Sequence, residues 1–251
     1  MNLRTDDSGC VEVVRGTASS AVVLVCEHAS PFIPEAFNDL GIVSAAKRSH
    51  VAWDPGAMAV AKAMAQNLDA VLVASKVSRL VYDCNRPPEA ADAMPIRSEA
   101  FDVPGNVGLT QSEKGARVAQ FYTPFKDTLA HEIAQRSGPV IVTIHSFTPV
   151  YNGQARDVEI GVLHDSDSRL ADAILDVADT FDVRRNAPYG PEDGVTHTLK
   201  EHAIKQGHLN VMIEVRNDLI ADAKSQTAMA ATLTRWVSNA IDAVEAAACK
   251  G

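Results

Sequence analysis

The chain has 251 residues, of which 46% are apolar and 22% charged, and a formal net charge of −9. That length suits one large α/β domain or two small ones, and the composition is that of a chain able to bury a full hydrophobic core. The acidic surplus argues against a general nucleic-acid binder, which needs Lys and Arg to neutralise phosphates, but leaves room for a small anionic substrate gripped by local arginines.

The first dozen residues carry Asp6, Asp7 and Glu12 and no apolar core of a signal peptide, so a soluble, cytoplasmic protein is expected. Ala21 to Cys26 is short, apolar and rich in β-branched residues, which predicts a buried strand running into Glu27-His28. Pro55 to Leu68 predicts a helix with Met58, Ala61, Met64 and Ala65 on one face and Pro55 in its first turn. Asp54 either caps that helix or serves a site, and both readings stay open. Ala70 to Ala74 predicts a second strand, continued by Arg79-Leu-Val-Tyr82 and followed by Asp83-Cys-Asn-Arg86. Cys84 to Val107 has four prolines and little periodicity, which predicts a structured loop of a length usually functional or mobile. Thr110 to Gln135 predicts one long amphipathic helix opened by a Thr110/Glu113 capping box.

Val140 to Ile144 is the next buried strand, running into His145-Ser-Phe-Thr-Pro149. Val158 to Leu163 leads to His164-Asp165, and Ser168 to Phe181 predicts a helix through Leu170, Ile174, Val177 and Phe181. Leu209 to Ile213 ends in Glu214-Val-Arg-Asn-Asp218. Ala221 to Ala247 predicts an Ala-rich terminal helix with one break allowed. The apolar stretches are far too short to span a bilayer. The four cysteines form no C-x-x-C pair, and Cys26 reads as a small buried hydrophobe, so no disulfide is demanded. With no repeat or linker, a single domain over residues 1–251 is expected. Strands alternating with helices predict an α/β fold with a mostly parallel sheet covered on both faces.

In open α/β sheets, ligands bind beyond the carboxyl ends of the strands. The predicted strand ends deliver His28, Asp83, Asn85, Arg86, His145, Glu214 and Arg216 to one side of such a sheet. Two histidines with carboxylates are donors of the zinc type, and a divalent zinc-type metal lowers the pKa of bound water so that it attacks an amide carbonyl. A neighbouring glutamate takes the proton and passes it to the leaving amine. On this reading His28 and His145 are ligands, Asp54 the third, and Glu214 the general base. A lone strand-end histidine is more often structural, so the combination carries the argument. His164-Asp165 is a competing ligand pair. His131-Glu132 lies in a helical pattern without the second His of H-E-x-x-H and reads as surface. His197, His202 and His208 read as structural or exposed, although Thr196-His197-Thr198 could line the site. Arg79, Arg86 and Arg216 sit in apolar contexts where a guanidinium needs an anionic partner. Internal pairing with Asp83 or Asp218 is one explanation, and a bidentate grip on substrate carboxylates is the other.

Taken together, the segments Val-Leu-Val-Cys-Glu-His28-Ala-Ser, His50-Val-Ala-Trp-Asp54-Pro-Gly-Ala, Ser78-Arg79-Leu-Val-Tyr-Asp83-Cys-Asn85-Arg86-Pro-Pro, Ile144-His145-Ser-Phe-Thr-Pro, Glu159-Ile-Gly-Val-Leu, Asp193-Gly-Val-Thr196-His-Thr and Ile213-Glu214-Val-Arg216-Asn-Asp218-Leu resemble the N-formylglutamate amidohydrolase family. They run in order from about residue 20 to residue 220. That family is similar in fold to zinc carboxypeptidases and aspartoacylase. The resemblance therefore implies a three-layer αβα sandwich with a mixed, mostly parallel central sheet.

Asp83-Cys-Asn85-Arg86 looks like the Asp-x-Asn-Arg element that holds substrate in those enzymes, with Arg86 taking a carboxylate. The match implies metal ligation for His28 and His145 and the base role for Glu214. Those relatives use His-x-x-Glu for their first two ligands, whereas Pro31 stands three residues after His28. Asp54 is offered as the remaining ligand, and Glu27 is expected to orient or support the site. The expected activity is metal-dependent hydrolysis of N-formyl-L-glutamate, or of a related small N-acyl amino acid, to formate and the amino acid, as in histidine degradation. Arg79, Asn85, Arg86 and Arg216 are the expected contacts to this anionic substrate. Two rivals share the scaffold: a deacylase or carboxypeptidase for another N-acyl amino acid, and a non-catalytic binding protein.

Overall fold

The computed structural model of the protein describes residues 2–5, 9–15 and 20–249, so Asp6 and Asp7 lie outside the described residues. The strands in chain order are β1 (Asn2–Thr5), β2 (Val11–Arg15), β3 (Val22–Cys26), β4 (Val71–Ser75), β5 (Arg97–Ser98), β6 (Phe101–Asp102), β7 (Val140–Phe147), β8 (Val150–Tyr151), β9 (Gln154–Ala155), β10 (Ile160–Leu163), β11 (Val183–Arg185) and β12 (Leu209–Arg216). The helices are α1 (Ser44–Arg48), α2 (Ala57–Asn67), α3 (Gln111–Arg117), α4 (Thr123–Ala134), α5 (Arg169–Val177), α6 (His197–His202) and α7 (Ala223–Ala248).

One eight-stranded sheet has the order β1-β2-β4-β3-β7-β12-β10-β11. The neighbours β4/β3, β3/β7, β7/β12 and β10/β11 are parallel, while β1/β2, β2/β4 and β10/β12 are antiparallel. The expected mixed, mostly parallel sheet is therefore what forms. Since β3, β4, β7 and β12 share one direction, their carboxyl ends emerge along one edge.

The strands read as unbroken apolar runs because both sheet faces are covered. Leu24, Leu72, Val142 and Ile213 pack against Met64 of α2, Ile174 of α5 and Trp236 of α7. On the opposite face, Val25, Val73, Ile141 and Met212 meet Phe125 and Leu129 of α4 and Leu199 of α6. Helix α7 buries Met229, Ala230, Leu233, Trp236, Val237 and Ala240, a stripe at helical spacing, and Asp222 caps its first turn through the backbone N–H of Lys224 and Ser225. It runs unbroken. No helix among the described residues is long and apolar enough to cross a membrane.

Three expectations about elements change. The Thr110 capping box forms, but the single helix expected from it is divided by a wider turn at Val118–Tyr122. Pro124 has no N–H to offer the carbonyl of Gln120, which accepts instead from Cys10 Sγ at 3.3 Å. Residues 79–82 do not continue β4. Ser78 turns the chain there, donating its hydroxyl to Ala52 O at 2.8 Å while its Oγ accepts from Leu80 N at 3.2 Å. Strands β1, β2, β5, β6, β8, β9 and β11 have no counterpart among the strands expected from the sequence.

Candidate active site

Two of the expected site residues are placed by the sheet itself. His145 on β7 and Glu214 on β12 are paired across a parallel ladder, so their side chains leave the same face. Glu27 follows β3 directly, and His28 sits in the turn after it. Asp54 is delivered from a separate loop, where its backbone N–H donates to His28 O at 2.9 Å. Gly56, at φ 84°, lets this loop turn into α2; a Cβ there would lie 2.6 Å from Ile220 O. The residue that caps α2 is Gly56, and no side chain bonds to the cap. Asp54 is therefore free of the helix-capping role the sequence allowed, and its carboxylate turns inward.

That carboxylate is the hub of a buried cluster. Asp54 Oδ2 lies 2.9 Å from His145 Nδ1 and 3.3 Å from His28 Nδ1, and it accepts from Ser146 N at 3.2 Å. A nitrogen of each imidazole and a carboxylate oxygen of Asp54 all fall within 4.8 Å of one another. The far side of each ring also faces an acid. His28 Nε2 is 2.7 Å from Asp83 Oδ1, and His145 Nε2 is 3.1 Å from Glu27 Oε2, a close ion-pair contact off the line of a hydrogen bond. A carboxylate behind each histidine is the arrangement that directs the opposite nitrogen's lone pair toward a metal. Two imidazoles and one carboxylate are also a fitting donor set for a zinc-type ion. Glu214 stands beside them, 5% exposed, and its Oε2 has no hydrogen-bond partner among the described residues.

The charges follow from this packing. Burial favours neutral imidazole, but Glu27 and Asp54 outweigh it at His145 and hold that pKa well above the usual histidine value. At His28, burial and Arg79 act downward, yet Asp83 and Asp54 leave the pKa raised. Asp83 is held well below the carboxylate range despite burial, by His28 and Arg79. Glu214 goes the other way. Burial, reinforced by Asp54, pushes it up to about 7 against the pull of His145, His28 and Arg79.

The cluster opens into a cavity of about 630 Å³. Arg79, Asn85 and Arg86 line it, but each is already engaged. Arg79 donates to Asp54 Oδ1 at 3.4 Å and Asp83 Oδ2 at 3.1 Å. Asn85 Nδ2 donates to Val195 O at 2.5 Å, and its Oδ1 accepts from Thr198 N at 3.0 Å. Arg86 Nε donates to Asp92 Oδ2 at 2.6 Å, and its NH1 to Asn85 O at 3.0 Å. Arg216 is not among the lining residues. It pairs with Asp218 at 2.9 Å and donates to the carbonyls of Arg156 and Asp157 at the outer end of β12. Internal pairing is thus the observed state of all three expected arginines.

The remaining candidates lie apart. His164 is tied to Arg185, and Asp165 to Thr196 and Lys200. His197 meets Tyr122 OH at 2.7 Å. His131 is exposed as expected, but Glu132 is buried between Arg15 and Arg136. The lining also includes His50, from the same sequence segment as Asp54, and Arg156 and Tyr189, which the sequence did not single out. His50 lies 2.8 Å from Glu99 across the rim. Arg156 extends from the β8–β9 hairpin, whose Asn152-Gly153 turn has φ of 49° and 76°.

The chain is similar to known proteins. The family described as N-formylglutamate amidohydrolase matches residues 20–221. Among solved structures, a gene product of Agrobacterium tumefaciens is 51% identical, with a TM-score of 0.92 over 97% of this chain and 100% of that one. N-formylglutamate amidohydrolase from Ralstonia eutropha is 17% identical, with a TM-score of 0.61 over 94% of this chain and 97% of that one, a likeness of fold alone. No curated protein sequence matches the chain.

Proposed function

The chain belongs to the N-formylglutamate amidohydrolase family, and from that premise we propose that it is a metal-dependent hydrolase of N-formyl-L-glutamate or a closely related N-acyl amino acid. The observation that carries the metal dependence is the buried His28–Asp54–His145 trio with an acid behind each imidazole. His28, Asp54 and His145 would hold the ion. When bound, a divalent ion of the zinc type supplies Lewis acidity, polarising the amide carbonyl and making water acidic enough to attack near neutral pH.

Glu214 is the proton carrier in this reading. It takes a proton from the attacking water as the new C–O bond forms, and gives it to the amide nitrogen as the C–N bond breaks. The products are formate and the free amino acid. Glu214 suits both halves of that task because it is buried beside the trio and its Oε2 has no hydrogen-bond partner among the described residues, leaving that oxygen to meet the attacking water. Asp83 and Glu27 act as positioning residues: Asp83 fixes the tautomer of His28 through its hydrogen bond, and Glu27 favours a proton on the facing nitrogen of His145 by its charge. Arg86 is the retained substrate contact of the original set, because its partner Asp92 is more than half exposed and readily displaced. Asn85 instead ties the site to residues 195–198, and Arg79 balances the negative charge of Asp54 and Asp83. A cytoplasmic role in histidine degradation belongs to the same proposal.

The test pairs metal analysis of the purified protein with formate release from N-formylglutamate, set against N-acetylglutamate and a peptide substrate. Bound zinc-type metal with formate release supports the reading. Preference for the acetyl or peptide substrate favours another hydrolase on this scaffold. The absence of both bound metal and turnover, even after metal supplementation, refutes the enzyme reading.

A further inference from the structure

We propose that Arg156 sets the charge specificity of this site by taking one carboxylate of an N-acyl acidic amino acid on the free edge of its guanidinium. The proposal rests on the hydrolase reading above and adds a residue to it. Four arginines line the cavity. Arg79 is bridged between Asp54 and Asp83, Arg86 is paired with Asp92, and Arg97 is paired with Asp102. Among the described residues, Arg156 has no carboxylate within ion-pair distance. It is also only partly buried, so its charge faces the cavity rather than the core.

What holds Arg156 is uncharged. Its Cζ lies 4.4 Å from the centroid of Tyr151, 4.8 Å from Tyr189 and 5.6 Å from Phe147. Its NH1 donates to Tyr189 OH at 3.0 Å and to Thr148 O at 3.4 Å. Aromatic faces attract a cation and fix its plane without cancelling its charge. The hydrogen bonds within the protein all leave from NH1. Nε and NH2, the pair of donors that makes a parallel fork to a carboxylate, have no protein partner among the described residues. A caged, planar, unneutralised guanidinium in the same cavity as Glu214 and the His28–Asp54–His145 trio is arranged to receive a substrate anion. An ammonium would fill the cage but not the fork.

The experiment compares zinc-loaded wild type, Arg156→Met and Arg156→Lys on N-formylglutamate, N-formylglutamine and the 1-amide of N-formylglutamate. Arg156→Met lowers kcat/KM for the diacid about a hundredfold, mainly through KM, as expected for losing a charge-assisted fork. It changes by less than about threefold the rate on whichever monoamide lacks the carboxylate that Arg156 holds. The spared amide identifies that carboxylate. Arg156→Lys keeps the charge without the fork, so the diacid loses about tenfold, and this variant also guards against a folding defect. Equal losses on all three substrates overturn the proposal.

Calorimetric binding of glutarate separates this claim from the hydrolase reading, because it needs no turnover. Glutarate binding that weakens at least tenfold in Arg156→Met sustains the Arg156 assignment even in a protein that cleaves no amide. Glutarate binding that is equal in both proteins refutes it.

Discussion

Glu214→Gln separates two consequences of one buried carboxylate. Burial raises the pKa of Glu214 from 4.5 to about 7. A carboxyl whose folded pKa lies above its unfolded value binds more protons when folded. Its contribution to stability is complete below the unfolded pKa and is lost as pH rises through the folded one. With a tenfold change in equilibrium worth roughly 1.36 kcal/mol, ionising Glu214 costs the metal-free protein on the order of 3 kcal/mol by about pH 8. Near about pH 5 the same cost is under roughly 1 kcal/mol. Glutamine keeps the shape and never ionises. Metal-free Glu214→Gln should therefore melt about 6–12 °C above wild type near pH 8, with the gap closing toward about pH 4.5. Paired thermal melts in chelator, followed by circular dichroism across that range, measure this. A gap independent of pH, or a variant less stable than wild type near pH 8, refutes the reasoning. With zinc restored, the variant should bind the ion as wild type does and lose turnover by about 10²–10⁴-fold.

Asp83→Asn should weaken zinc affinity about 10- to 100-fold, read by competition with a chromophoric chelator, because the amide no longer fixes the proton of His28 on Nε2. Unchanged affinity would reduce Asp83 to a partner of Arg79. Gly161 on β10 lies opposite Glu214 in the ladder, and a Cβ there would stand 2.0 Å from Ala187 O. Gly161→Ala should therefore push the Pro188–Tyr189 segment off the cavity wall, lowering stability by about 1–3 kcal/mol and raising KM. An unaltered melting temperature would contradict this.

Much of the fold is legible because strands buried on both faces announce themselves as continuous apolar runs, as in Val22–Cys26 and Val140–Ile144. The edge strands lack that signature. Val11–Arg15 is interrupted by Glu12 and Arg15, both only partly buried, and two of the three residues of Val183–Arg185 are exposed arginines. His28, His145 and Glu214 could be singled out because each closes a buried strand. Asp54 could not be decided, since the same Asp-Pro step starts a helix and only the fold shows which way its carboxylate turns. The Arg79–Asp83 pair lies at a spacing of four and was open to reading, whereas the engagement of Asn85 by residues 110 and 113 positions away was not. Arg156 gave no strong signal. The available hint was an Asn-Gly turn following Tyr151, which predicts a hairpin presenting its flanks together.

The rungs shared by β7 and β12 carry a consequence for how such an enzyme changes. His145 and Glu214 are opposite one another within eight consecutive backbone pairs, so the offset between the proposed ligand and proton carrier is set by the spacing of neighbouring hydrogen-bonded strands. Arg156 and Tyr151 stand on a small exposed hairpin with two residues in each strand. On the proposed reading, the bond-breaking groups sit in the buried central sheet and the recognition group on an exposed hairpin. Mutation can recast the hairpin, and with it the choice of acyl amino acid, while the register that aligns ligand and proton carrier is inherited untouched.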